Sequence, residues 1–189
     1  IHALPGTPYQ IVAHAPSTGV LFLPLGIIEE RTDTRNIDDF GGLAARAPIF
    51  AFFFAVAMLA SVGLPGTSGF IGEFLIILGA VKFNPLIAVG AGTTLIIGVC
   101  YMLWLFQRVF FEKPNSKLAG FGDLSAIEVL TILPIVVLIV VMGIYPQPFL
   151  AKIEPSAQRQ MAIIEKAQHV AEYRLEAQKP GQELKTGDR

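Results

Sequence analysis

Two titratable side chains stand where charge is otherwise missing. Glu73 is the only charged residue between Arg46 and Lys82, and it lies in one of the most apolar parts of the chain. A carboxylate inside a bilayer costs about 2.5–3.5 kcal/mol or more, and whether it ionises depends on a partner charge or a wet cavity close by. That is the position of a group that takes up and releases protons. The competing reading is a membrane-edge acid in a structural kink. His14 lies in a second apolar run, Ile11 to Ile28. An imidazole changes charge near neutral pH and suits a proton relay; the alternative is a neutral histidine hydrogen-bonded to a neighbouring helix. Other candidates carry less. Glu128 reads as a helix N-terminal acid favoured by the dipole. The carboxylates between Glu29 and Asp39 fit no Ca²⁺ loop. Cys100 cannot form an internal disulfide and reads as a small packing residue. No Cys/His cluster suggests zinc or iron–sulfur, so no metal and no bound cofactor is expected on this chain.

The elements that position Glu73 follow from length. As one helix, Pro48 to Lys82 would run roughly 52 Å, against a bilayer core of about 30 Å. That is too long for one straight crossing and too short for two. Pro65 cannot donate a backbone hydrogen bond, and Gly63, Gly66, Gly69 and Gly72 weaken helix around it. The spacing predicts one crossing made of two half-helices, interrupted within Gly63–Gly69, with Pro65, Gly66 and Gly69 as the structural break. Broken backbone at membrane depth is tolerated only inside protein or beside water, and an acid just after such a break is the pattern of an ion or proton path.

With 53% hydrophobic and 15% charged residues in 189 and a mean hydropathy of +0.59, the chain reads as an all-α membrane protein. Four transmembrane helices are expected, about Ile11–Ile28, Pro48–Val81, Leu86–Phe111 and Ile127–Leu150. Pro16, Pro24 and Pro134 should kink their spans. Ile1 to Gln10 reads as a loop. Gly90, Gly92 and Gly98 should allow close helix contact. Residues 1–150 form the transmembrane part and 151–189 a polar tail, helical or disordered, with a weak apolar stripe at Met161, Ile164, Ala167, Ala171 and Leu175 and fraying from Pro180. A net charge of −1 offers no basic surface for nucleic acid. Arg31, Arg35 and Arg46 in one loop, and Arg108, Lys113 and Lys117 around another, place both loops on the cytoplasmic, matrix or stromal side, and the tail on the other.

The run LPGTSGFIGEFLIILGA from Leu64 to Ala80 resembles the signature of the antiporter-like, proton-translocating subunit of respiratory complex I, of the subunit M or subunit 4 type of NADH:quinone oxidoreductase. His14-Ala15-Pro16-Ser17-Thr18-Gly19-Val20-Leu21-Phe22-Leu23 and the charged loop from Glu29 to Gly42 are similar to further patterns of that family. Ala15, Pro16 and Pro24 depart from it, as does Ile127, where the family often has Arg before Glu128. The chain begins with Ile1, and the resemblance implies the C-terminal portion only, roughly the last third. It implies Glu73 and His14 as proton-transfer residues in an electron-transport-linked pump. NADH, FMN, iron–sulfur clusters and quinone would be bound by partner subunits. The partners would be other membrane subunits of complex I and the lipid bilayer, in a bacterial inner membrane, an organelle inner membrane or a thylakoid. Two alternatives stand beside it: a subunit of a multisubunit Na⁺/H⁺ antiporter, and a truncated, non-conducting membrane scaffold.

Overall fold

The computed structural model describes residues 3–115, 118 and 120–177. Among these the chain is all-helical. Helix α1 (Ala3–Thr32) is followed by a short 3₁₀ turn at Ile37–Asp39 and by α2 (Leu43–Arg46). Then come α3 (Pro48–Ser61), α4 (Ser68–Phe83), α5 (Pro85–Phe111), α6 (Ala126–Ile144) and α7 (Gln147–Ala177). Among the described residues three helices are long and apolar enough to cross a membrane: Gly6–Thr32, Pro85–Phe111 and Ala126–Ile144.

The fourth crossing is the broken one. α3 and α4 would run roughly 21 and 24 Å, each short of a bilayer core of about 30 Å. They lie one after the other along α1, which runs in the opposite direction. Gly6 of α1 abuts Leu75 of α4, Ala13 meets Ser68 at the start of α4, and Arg31 reaches the turn that caps the start of α3. The interruption falls where Pro65 and its glycines predict it.

α1 starts earlier than expected, at Ala3, and keeps Pro8, Pro16 and Pro24 inside. Pro5 and Pro8 do not make a loop because a membrane helix can re-satisfy backbone groups freed by proline through side chains and neighbouring helices. Beside Pro16 the Ser17 hydroxyl donates to the carbonyls of Ala13 and His14; the carbonyl that Pro16 itself leaves without its usual partner is that of Val12, four residues back. α5 and α6 begin with signals legible in the sequence. Asn84 caps the first turn of α5 ahead of Pro85. Ser125 and Glu128 form a capping box at the start of α6. α6 stops at Ile144, short of Leu150, because Tyr145-Pro146 ends it and α7 restarts at Gln147.

The larger core sits toward the end that carries the charged loops. Phe50 and Phe54 of α3 pack against Phe106 and Phe110 of α5 and Phe121 in the following loop, at centroid separations of 4.9–6.1 Å, and such pairs add to their burial. The loop after α1 and the loop after α5 meet here: Arg108 binds Asp38 at 2.6 Å, and Gly41 lies against the Lys113 backbone. The two loops thus share one end, as their charges suggest; Lys117 lies outside the described residues. At the opposite end Phe149, Leu150 and Ile153 of α7 pack on Tyr9, Ala13 and Met142. Beyond Ala157 and Met161 the described side chains of α7 are exposed. The side chain of Leu175, and the chain from Pro180 on, lie outside the described residues.

Cβ atoms added at Gly90 or Gly92 would meet nothing within 4 Å, and one at Gly98 only Tyr101 at 3.9 Å, so these glycines bring no helix of this chain close, because α5 touches the rest of the chain mainly through its two ends. For the same reason Cys100 is exposed, not packed.

Candidate functional site: the helix break and its carboxylate

α3 ends in a Schellman turn. Gly63 takes the left-handed conformation with φ +69°; its N–H donates to Ala60 O at 3.3 Å, and the Leu64 N–H reaches back to Leu59 O at 2.9 Å. Pro65 has no N–H to continue the ladder, and Gly66, at φ +95°, turns the chain again. Thr67 closes the loop by donating to Leu64 O from both its N–H, at 3.0 Å, and its hydroxyl, at 2.7 Å. α4 then starts at Ser68.

Neighbouring helices hold this loop on two sides. Ser68 is fully buried, and its hydroxyl donates to Ala13 O of α1 at 3.4 Å. Gly69 lies on Ala60 O, and Gly143 of α6 lies on the Gly66–Thr67 backbone so closely that any Cβ there would overlap it. α6 is fixed to α1 at this level by Tyr9, which is fully buried and donates its hydroxyl to Met142 O at 2.6 Å. That carbonyl would normally pair with the N–H four residues on, but residue 146 is proline. Tyr9 supplies the missing donor. Thr67, Ser68 and Gly69 are buried by these contacts, while Leu64, Pro65 and Gly66 face out of this chain; irregular backbone survives at membrane depth where protein or water covers it.

Glu73 follows on α4, half-buried. Its Oε1 accepts from Gln10 Nε2 at 3.1 Å, and its Oε2 lies against Gly63, where a Cβ would overlap it. Two glycines set this register. A Cβ at Gly72 would overlap the Cα and Cβ of Gln10, and one at Gly6 would come within 2.7 Å of Leu75 Cβ. α1 and α4 thus approach almost backbone to backbone, and Gln10 is carried to the side of Glu73. Gln10 Oε1 is buried without a donor among the described residues, over Gly72.

His14 is one turn further along α1 and is exposed in this chain. Its Nε2 lies 3.0 Å from Thr18 Oγ1. It lines an open groove of about 310 Å³ together with Thr7, Gln10, Ile11 and Ile76. No hydrogen bond joins His14 to Glu73 directly. Gln10 touches both the carboxyl and the groove, and it is the site residue that the sequence reading missed. The available signal was its spacing: residues i and i+4 share a helix face, but the segment up to Gln10 reads as a loop.

A separate charged cluster fixes the other end of α3. Arg31 Nη2 binds Glu128 Oε1 and Oε2 at 2.6 and 2.7 Å, and the guanidinium lies 5.3 Å over the Phe121 ring. Glu128 is therefore paired after all, by an arginine from α1 in place of a neighbour in sequence, as well as capping its own helix. Asp123 caps α3 from outside, accepting from the N–H groups of Ile49 and Phe50 at 3.0 and 2.9 Å and from Leu124 N–H at 2.8 Å. Burial alone would raise its carboxyl, but these three donors and nearby Arg31 outweigh burial and hold it below the ordinary aspartate value.

Residues 2–98 match the family model described as NADH:quinone oxidoreductase/Mrp antiporter, TM. The chain is 42% identical over 146 residues to NADH-quinone oxidoreductase subunit M of Rickettsia bellii (strain RML369-C), covering 77% of this chain and 30% of that protein. It is 43% identical over 152 residues to NADH-ubiquinone oxidoreductase chain 4 of Marchantia polymorpha, covering 79% of this chain and 30% of that one. Among solved structures it is similar to a chain of respiratory complex I from Thermus thermophilus with bound NADH, with a TM-score of 0.74 and 36% identity, covering 84% of this chain and 34% of that chain. The chain spans about 30% of the length of the curated relatives it matches. By the extent of the family match and by these identities, the chain belongs to the NADH:quinone oxidoreductase/Mrp antiporter transmembrane family.

Proposed function

We propose that the chain is a C-terminal part of an antiporter-like membrane subunit of NADH:quinone oxidoreductase, and that it moves protons in step with electron transfer in other subunits. The observation that carries this reading is a carboxyl group seated on a helix break at membrane depth, hydrogen-bonded to a single neutral amide. Among the described residues such a group has no fixed counter-charge, so its ionisation answers to charges and water brought by neighbours. Glu73 is the principal proton-handling residue and His14 a relay along the α1 groove. Pro65 and Gly66 make the break that admits Glu73 to its seat, and Gly69, expected in the break, stands in the first turn of α4 against Ala60 O. The relatives' names carry NADH, quinone and complex I; on this reading NADH and quinone, with FMN and iron–sulfur clusters, are bound by partner subunits, and other complex I membrane subunits and lipid are the surroundings. The names also fit a bacterial inner membrane, or an organelle inner membrane, with the two charged loops on the cytoplasmic or matrix side.

The test uses the assembled parent complex. Glu73→Gln keeps size and most hydrogen bonding but removes titration, so it should leave assembly intact and lower proton pumping, with coupled quinone reduction falling too. Glu73→Asp should be milder. Normal pumping with Glu73→Gln, in membranes matched for assembled complex, would reduce the residue to a structural feature and put a non-conducting scaffold ahead. The family description also includes Mrp antiporters. Na⁺/H⁺ exchange without quinone reductase activity would favour that alternative.

A further inference from the structure

Gln10 is placed with more care than a bystander needs. The backbone-to-backbone approach at Gly6 and Gly72 brings it to Glu73. Its amide then splits into two unequal ends. Nε2 donates to Glu73 Oε1 at 3.1 Å. Oε1 is buried over the Cα of Gly72 and has no donor among the described residues. An unmade hydrogen bond on a buried acceptor is a standing cost, and nothing at that end repays it. What holds the amide in this orientation is its other end, where the carboxylate takes the N–H. On the opposite side the same carboxyl is stopped by Gly63 of the break. The carboxyl is gripped between one donor and one wall.

We infer that Gln10 is the positioning residue for Glu73: it holds the carboxyl on the break through a single donor that is not itself titratable. This deepens the proton-transfer reading of the same site and rests on it. A neutral donor suits the task. A lysine or arginine at this place would pin the carboxylate in its charged form, whereas an amide orients it and leaves it free to change state. The amide also has both a donor and an acceptor, so a half-turn about its last bond would let Oε1 accept from a protonated Glu73.

The experiment uses the assembled parent complex with Gln10→Met, which keeps the length and the packing over Gly72 but removes the donor. Pumping per quinone reduced should fall about tenfold, the factor that one hydrogen bond to a charged group supplies. The infrared carboxyl band that disappears in Glu73→Gln should shift in Gln10→Met. In the Glu73→Gln background Gln10→Met should have no further effect on pumping, because residues acting through one another are not additive. Should Gln10→Met reduce assembly, Gln10→Asn, which keeps the amide but falls short by one methylene, should give the same band shift. An unchanged band and unchanged pumping in Gln10→Met, with pumping lost in Glu73→Gln, would overturn the positioning role and leave the proton-transfer reading standing. Pumping retained in Glu73→Gln would remove both.

Discussion

Gly63→Ala separates the seat of Glu73 from the strain of the turn beneath it. Gly63 and Gly66 both have φ in the range that favours glycine, at +69° and +95°. An alanine at either therefore costs about 1–2 kcal/mol of backbone strain, with Gly66, further from the left-handed helical well, at least as costly. The surroundings differ. A Cβ on Gly66 meets nothing within 4 Å, whereas a Cβ on Gly63 would overlap Glu73 Oε2 and sit 3.0 Å from Cδ. Non-bonded heavy atoms prefer about 3.5 Å, so with Oε2 overlapping that Cβ the carboxyl oxygen must retreat by roughly 1 Å. It is the end of a flexible side chain and can do so with little loss of stability. A displacement of about 1 Å at a reacting group can cost up to a hundredfold in rate. Both variants should then assemble to similar levels, with pumping lowered tenfold or more in Gly63→Ala and little changed in Gly66→Ala. The assay is proton pumping per assembled complex in sealed membranes. Equal pumping by the two variants would show that the carboxyl's position against the break does not matter, and the reasoning would be wrong.

Tyr9→Phe should cost about 1–3 kcal/mol by stranding the Met142 carbonyl, and thermal unfolding of the detergent-solubilised complex should show it; Pro146→Ala, which restores an N–H at residue 146, should remove most of that cost. Asp123→Ala should cost about 1 kcal/mol as a lost helix cap and speed hydrogen exchange at the Ile49 and Phe50 amides, with Asp123→Asn milder. Because the folded Asp123 carboxyl is held below its ordinary value, its contribution is complete above the unfolded value of about 3.9 and is lost as pH falls through the folded one. Those two amides should therefore lose protection on acidification in the native chain and not in Asp123→Asn. His14→Ala should lower pumping less than Glu73→Gln, since a water can replace one relay donor; an equal or larger loss would make His14 the principal group.

The break was legible because it rests on local chemistry. Pro65 has no N–H, and Gly63 sits where a helix end needs a left-handed residue; both facts are contained in Leu64–Gly69 itself. Glu73 was legible for a related reason, as a charge with no neighbour of its kind. Gln10 was not. Its importance depends on Gly6 and Gly72 closing the gap between two helices about sixty residues apart in the chain, and no local pattern announces which residues face each other across such a gap. The start of α1 reads as a loop in the sequence because proline lacks an N–H and its ring clashes with the preceding turn; Pro5 in fact stands in the first turn, where no intrahelical bond is lost, and membrane helices tolerate Pro8. The pairing of Glu128 with Arg31 has no local signature, because the residue before Glu128 is Ile127 and its basic partner comes from another helix. Helix ends and breaks are written in short words; contacts between helices are not.

The capping of α3 by Asp123 has a consequence for how the chain is made. Asp123 follows α5, so a ribosome delivers α3 to the bilayer long before its cap exists. Until α5 has crossed and the next loop has folded back, the N–H groups of Ile49 and Phe50 must be met by water or lipid headgroups, and Phe50 lacks Phe110 and Phe121. Gly143 and Met142, against which the break and Tyr9 rest, emerge later still. The seat of Glu73 is thus finished only when α6 is in place, although both half-helices are made before α5 and α6. A delay or error in inserting α5 or α6 would release a chain whose spans are all present and whose carboxylate has no seat.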